Sequence, residues 1–480
     1  MIDWQSVANQ GEMFGDSGGG YGESSNSDVA ALRKALSAGE GNGGTHGVAT
    51  PGAAGPLMPE SLDEVLHSVT YTEQEFKLWQ RIPKSPAYNT AEEYIRLHRV
   101  GLGESAFMGE GERPEEEDSS YSREVSMVKF LGTTRRITHQ ATLVRSVEKA
   151  GLVARETKNG VMWLLRQLEE ALFFGDSQIV PLQFDGLNRL MIDGGSPVYD
   201  MRGAPLSEEV LSGMCAAVRK KGNYGTIDTV YSSIGVKSDL KNKIRDRMRS
   251  QFGDKVDFEP KLDNFGDVKL EDNVFIDEGE DKLPVAAGVG NSSKRPLLPI
   301  LGAAGITTPA NGNSKFGASD AGSYYYKIVA INRYGRSAPL TTAAVAVAEG
   351  DKVVIPIVDG GQDTTGYIVY RSAVDAADAT TCQEAFRVKR TGASQDIEDL
   401  NADLPGTSIA FGLETKAETL SWRQLAPMMM IPLATSDLNE RWMQVLYGVL
   451  RLTAPRHCFR IKNVGRDPNA PQIANIPGLE

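Results

Sequence analysis

The sequence predicts an α+β body interrupted by an all-β module. Three observations carry this reading: one long amphipathic helical stretch, alternating helix and strand patterns after it, and a later region where helical spacing gives way to Tyr/Val/Ile runs between turn residues. At 480 residues the chain has room for about three domains, or for one large domain carrying an insertion. Hydrophobic residues make up 40% of it, enough for a sizeable core, which excludes wholesale disorder.

The elements follow in chain order. Residues 1–60 form a glycine-rich arm, with thirteen glycines in the first 55 positions and few large apolar groups to bury. Within it Asp28 to Leu36 has helical signals, with Asp28 as N-cap and Leu32 and Leu36 one turn apart. Ser61 to Val69 is a short helix with Ser61 and Glu64 spaced as a capping box. Glu92 to Val100 and Glu124 to Ala141 are rich in β-branched and aromatic residues and read as two arms of a long hairpin. The polar connection Gly101 to Ser122 joins them.

Ser146 to Phe174 is the longest helical candidate. Val161, Leu164, Leu165, Leu168 and Leu172 make its apolar stripe, Gly175 stops it, and Gly151 and Gly160 are possible breaks. Then come a helix at Glu208 to Lys221, a β-rich run at Thr226 to Ile234 and a helix at Lys237 to Phe252, an alternation that predicts an α/β subdomain. Residues 291–419 read as an inserted β-sandwich, Ser436 to Val445 as a helix, and Val449 to Val464 as β-type chain before a Pro-rich tail.

Charge and motifs exclude several classes of function. With 51 basic against 63 acidic side chains the net charge is −12, the wrong sign for a protein that grips a nucleic-acid backbone. Cys215, Cys382 and Cys458 are too few and too far apart for a disulfide framework or a zinc cluster, so a reducing compartment is expected. The first residues lack a basic n-region and no apolar run approaches about 18 residues, so neither secretion nor membrane insertion is expected.

Gly39-x-Gly41-x-x-Gly44 spells a dinucleotide fingerprint, but no strand feeds it and no helix follows. Gly15-x-Ser17-x-Gly19 spells a nucleophile elbow with no buried strand to hold Ser17. His46, His67, His98, His139 and His457 are scattered and never paired at metal-binding spacing. No catalytic, cofactor-binding or metal-ligating residue is therefore assigned.

One charge pattern does point to an interaction. Glu110, Glu112, Glu115, Glu116, Glu117 and Asp118 place six carboxylates and one arginine in the hairpin connection. Lys241, Lys243, Arg245, Arg247 and Arg249, with Arg219, Lys220 and Lys221, are candidate cationic partners for it in another copy of the chain.

Leu168-Glu169-Glu170-Ala171-Leu172-Phe173-Phe174-Gly175-Asp176, followed by Gln183-Phe184-Asp185-Gly186-Leu187, resembles the end of the spine helix of tailed-bacteriophage major capsid proteins. The order of elements resembles that family too. The resemblance implies an N-arm and extended hairpin loop at 61–145, a spine helix and peripheral domain at 146–205, and an axial domain at 206–290 and 420–445. It implies a return to the peripheral domain at 446–480. The insert is similar to immunoglobulin-like or fibronectin type III-like modules through Tyr324 to Asn332 and the turn Asn332 to Ser337. No pattern marks Lys129 as a cross-linking lysine.

What the resemblance implies is a virion shell subunit, assembled in the host cytoplasm, without cofactors. It would form pentamers and hexamers and enclose DNA without sequence-specific binding, meeting portal, scaffold or decoration proteins. Identical copies close a surface by repeating heterologous contacts, and extended limbs that cannot bury themselves gain order on neighbours. Two other readings stand beside it: a non-shell phage structural or adhesion protein, and an enzyme with an accessory β-sandwich.

Overall fold

A computed structural model describes residues 72–101, 107, 109–111, 113, 117–143, 151–245, 264–265, 268–276, 294–361, 363–434 and 438–468. The glycine-rich arm, the helices expected at 28–36 and 61–69, both glycine motifs, His46 and His67 lie outside them. The chain divides into one unit of residues 1–69 with 144–152 and another of residues 70–143 with 153–480. The second unit holds the architecture described below.

It opens with α1 (Lys77–Arg81) and β1 (Lys84–Pro86), then β2 (Ala91–Val100), β3 (Ser119–Met127), β4 (Lys129–Thr138) and α2 (His139–Leu143). The long helix, α3, runs from Leu152 to Phe174. Leu164, Leu168 and Leu172 are buried along one stripe, while Val161 and Leu165 are half-buried at its margin. Gly151 takes a positive φ just before the helix, but Gly160 does not break it. A Cβ at Gly160 would lie 2.1 Å from Gln444 Oε1, so glycine lets α3 approach the neighbouring sheet closely.

Next are α4 (Leu187–Asp193), β5 (Val198–Asp200), α5 (Glu208–Arg219), β6 (Thr229–Ser232), α6 (Ile234–Arg245), β7 (Asn264–Phe265) and β8 (Val268–Asp272). Ser207 caps α5 by accepting from Val210 N, and Leu211, Met214 and Val218 point inward. β6 and β8 are parallel, as an α/β alternation requires.

Residues 294–401 build the all-β module from short strands: β9 (Ile300–Leu301), β10 (Gly322–Tyr324), β11 (Tyr326–Asn332), β12 (Gly335–Arg336) and β13 (Leu340–Thr341). β14 (Val345–Val347), β15 (Val353–Val358), β16 (Gly366–Arg371), β17 (Gln383–Lys389) and β18 (Ser394–Asp399) complete it. A sheet ordered β12-β11-β16-β17, with β13 also on β11, and a sheet ordered β18-β15-β9 share one core. Tyr326, Ile328, Ile355, Tyr367, Val369 and Ile397 are among its members. Inside it Arg371 Nη1 donates to Asp399 Oδ2 at 2.6 Å and Tyr326 OH donates to the same oxygen at 3.0 Å. The buried ions thus have partners.

The chain returns through β19 (Ser408–Leu413), β20 (Leu420–Pro432), β21 (Asn439–Leu452) and β22 (Phe459–Val464). β1-β20-β21-β4 form one sheet and β5-β22-β19-β6-β8-β7 another. The end of α3, through Leu168, Leu172, Phe173 and Phe174, shares a core with Trp422, Leu446 and Phe411 from both sheets.

The folded chain departs from four expectations. Of the helix expected at Ser436 to Val445, residues 439–445 are strand: Asn439–Leu452 is bonded on both sides, to β20 and β4, and this pairing outweighs the local helical spacing. The proposed boundary at 445/446 therefore falls inside one strand. The β-module does not extend to 419, because β19 pairs with β6 and β22 of the body. The returning hairpin arm is Ser119–Met127; Lys129–Thr138 leaves the hairpin to pair with β21.

The module is seated against the turn after α3. Ile179 and Val180 pack with Val329, Ile331 and Ile368, and a Cβ at Gly366 would lie 2.7 Å from Ile179 Cγ2 and 2.9 Å from Val388 O. Arg202–Asp320 and Lys315–Asp200 ion pairs, at 2.9 and 2.8 Å, fasten its other side. Gly366→Val is expected to destabilise the chain by about 1–3 kcal/mol through overpacking, read as a lower urea midpoint.

A single buried carboxylate joins α1, α3 and β8. Glu169 is fully buried; its Oε1 accepts from Leu78 N at 2.9 Å and Asn273 Nδ2 at 3.0 Å, and its Oε2 accepts from Trp79 N at 3.0 Å. Desolvation pushes its pKa from 4.5 up to about 7, against the opposing effect of those three donors. With the folded value above the unfolded one, the stability this group contributes is full below pH 4.5 and is lost as pH rises through about 7. Glu169→Leu, which orphans all three donors, is expected to cost about 1–3 kcal/mol per donor in urea unfolding and to flatten the pH dependence over that window.

Candidate assembly surface

The β2–β3 hairpin is amphipathic in an inverted sense. Alternation along each strand sends successive side chains to opposite faces. One face carries Glu92, Tyr94, Arg96, Ser122 and Glu124 and turns toward the body: Arg96 Nε donates to Thr453 O at 2.8 Å, and Arg96 Nη1 pairs with Glu124 at 3.4 Å. The other face carries Ile95, Leu97, Tyr121, Val125 and Met127, all exposed; Ile95 is 71% and Tyr121 64% accessible. Arg123 and Glu93 pair on that same outer face. The polar side is therefore bound and the apolar side is open. A lone subunit gains nothing from this arrangement; a subunit covered by a neighbour does.

A second apolar surface lies beside α3. Phe130, Gly132, Trp163, Leu164, Leu182 and Phe184 line a groove of about 230 Å³, with Phe130, Trp163 and Leu182 exposed at its margin. Phe130 is held edge-on against Tyr447, with ring centroids 4.9 Å apart. Lys129 Nζ, at the start of β4, donates to Pro181 O at 2.6 Å.

The charged residues singled out in the sequence are only partly described. Glu110, Glu117 and Asp118 are exposed at the hairpin's far end, and Glu112, Glu115 and Glu116 lie outside the described residues. On α6, Lys241 is half-buried and Lys243 exposed; the helix is described as far as Arg245, and Arg247 and Arg249 lie outside the described residues. The acidic and basic sets thus sit on different elements.

The outer apolar face of the hairpin and the groove were not singled out in the sequence. Alternation at Ile95-Arg96-Leu97 and Val125-Ser126-Met127 was a usable signal, but it marks two faces without saying which one faces solvent. Among the described residues no group of His, Cys, Asp and Glu could hold a metal ion. His98 bonds Ser122 Oγ, and His457 bonds Glu414 Oε2 at 2.7 Å.

These features describe a subunit with open apolar surfaces and no assembled catalytic or metal site among the described residues. No family model matches the chain. The major capsid proteins of Staphylococcus phage S25-3 and of Staphylococcus phage K are each 27% identical to it over 443 residues, covering 86% of this chain and 90% of theirs. The solved capsid of Myoviridae phage XM1 aligns at 9% identity with a TM-score of 0.43, over 87% of this chain and 99% of its own. The chain is a homologue of phage major capsid proteins, and its function is that of a major capsid protein.

Outer-face substitutions are expected to leave the isolated subunit nearly unchanged. Ile95→Ser and Tyr121→Ser should each shift urea-unfolding stability by no more than about 0.5 kcal/mol. Arg96→Ala, on the inner face, should cost about 1.5–3 kcal/mol through its lost charge-assisted hydrogen bonds. Equal losses at both faces would contradict the assigned orientation.

Proposed function

We propose that copies of this chain assemble into pentamers and hexamers, and these into an icosahedral shell that encloses phage genomic DNA. The outward apolar face of the β2–β3 hairpin carries the proposal. In an assembly it covers the Phe130–Trp163–Leu182 groove of an adjacent copy, which removes both apolar surfaces from water. In this reading α3 and the β1-β20-β21-β4 sheet form the peripheral region and the β5-β22-β19-β6-β8-β7 sheet the axial one, so β20 moves out of the expected axial range 420–445 and β5 and β22 move out of the expected peripheral ranges 146–205 and 446–480.

The inserted module faces outward, a position supported by its separate core and by its seating on a short apolar contact at Ile179 and Val180. The work of the chain is mechanical: it provides shape and repeated contacts, and no catalytic step is assigned to it. Assembly takes place in the host cytoplasm, with portal, scaffold or decoration proteins as further partners. The net charge of −12 per copy suits an enclosure that holds DNA without gripping it.

Electron microscopy of the expressed chain, alone and with its neighbouring gene products, tests the proposal. Rings of five and six or hollow shells are expected; rods, trimers or a persistent monomer would contradict it. Ile95→Asp combined with Leu97→Asp should abolish those particles while the subunit keeps its melting temperature within a few degrees.

A further inference from the structure

Antiparallel pairing sets Arg423 opposite Val449 and Arg451 opposite Ser421, so the two arginines are diagonal neighbours on one face of the β20–β21 ladder. The intervening residues, Trp422 and Leu450, point the other way into the core, where they are 0% and 1% exposed. Arg423 and Arg451 therefore stand together on the opposite face, half-buried beside the buried Val449 and Ser421 and close enough for repulsion.

Neither has a carboxylate partner among the described residues. Arg423 Nη1 reaches only Pro86 O at 3.3 Å, Arg451 lies against the Tyr94 ring at 5.5 Å, and the Nε of each is buried without an acceptor. Desolvation, and then the Arg423 charge, hold the Arg451 guanidinium below its ordinary pKa, with Glu92 and Tyr94 opposing. Nearby, Arg96 is already paired with Glu124, and Glu92 Oε1 accepts from Tyr88 N. Two half-buried like charges side by side are unfavourable in an isolated subunit and call for an anion from outside.

We propose that the Arg423–Arg451 pair is the docking point for the acidic hairpin tip, Glu110 to Asp118, of a second copy of this chain. The inference rests on the shell reading and names the electrostatic partner within it. The tip brings six carboxylates against one arginine in nine residues, the densest opposite charge in this sequence. Beyond Tyr94, which lies beside Arg451, β2 carries the chain a further six residues to Val100, about 20 Å away. The pair then supplies guanidinium donors to carboxylates and fixes the register in which the apolar hairpin face settles. This replaces the basic residues of α6 as the cationic partner of that tip.

The test uses the full-length chain in three forms. Arg423→Glu with Arg451→Glu, and separately Glu115→Lys, Glu116→Lys and Glu117→Lys, should each lower the assembled fraction by about tenfold or more in low salt. An equimolar mixture of the two should recover rings, because each tip then meets an opposite charge on the other copy. Recovery only when all five changes share one chain, with none on mixing, would place the contact within a subunit and overturn the proposal. Normal assembly of the arginine variant would overturn it as well, including the case in which only DNA retention falls, which would make phosphate the partner. If that variant melts early, Arg423→Gln with Arg451→Gln gives the same reading without introducing negative charge. Failure of the wild-type chain to assemble at all would instead strike the shell reading.

Discussion

An apolar surface that the described residues leave open to solvent sets the terms for the rest of the structure. The β2–β3 hairpin is tied to the body by polar contacts, Arg96 to Thr453 O and Tyr94 beside Arg451, which leave Ile95, Leu97, Tyr121, Val125 and Met127 facing outward. Burying each such side chain is worth about 1.5–3 kcal/mol, so a repeated contact that covers several of them supplies a large share of an association energy. The polar attachments supply the complement: they hold the strand pair in a fixed orientation, so that less conformational freedom remains to be lost when a neighbour arrives.

The body is arranged to keep that limb in place. Its central support is the end of α3, whose Leu168, Leu172, Phe173 and Phe174 meet both sheets in one core. Glu169, on the same turn of helix, faces the other way energetically: it brings a carboxylate into that core so that three donors from α1 and the end of β8 converge on it. The cost of desolvation is visible in its raised pKa, and what it secures is the placement of the segment that leads into β1 and the hairpin. Apolar packing fixes the helix on the sheets, and a polar clasp fixes the chain entering the hairpin.

Much of this was legible in the residues. The stripe from Leu164 to Leu172 fixes its helix through 3.6-residue spacing. The switch to Tyr/Val/Ile runs marks the β-module, because pleated strands select those side chains. Asn439 to Leu452 shows the opposite case. Its N-terminal part has acceptable helical spacing, and only the availability of β20 on one side and β4 on the other makes it a strand. Ser408 to Leu413 is similar: nothing local distinguishes a strand of the module from a strand of the body.

The class of fold, the long helix, the β-module and the acidic balance could be read from the residues alone, since each follows from local spacing or from a sum over residues. Which face of the hairpin is open, the use of Gly160 for close approach instead of a break, and the placing of Arg423 beside Arg451 all came from the folded chain. Those facts depend on register and on partners far apart in the chain, and pairwise proximity of that kind is not written in any local pattern.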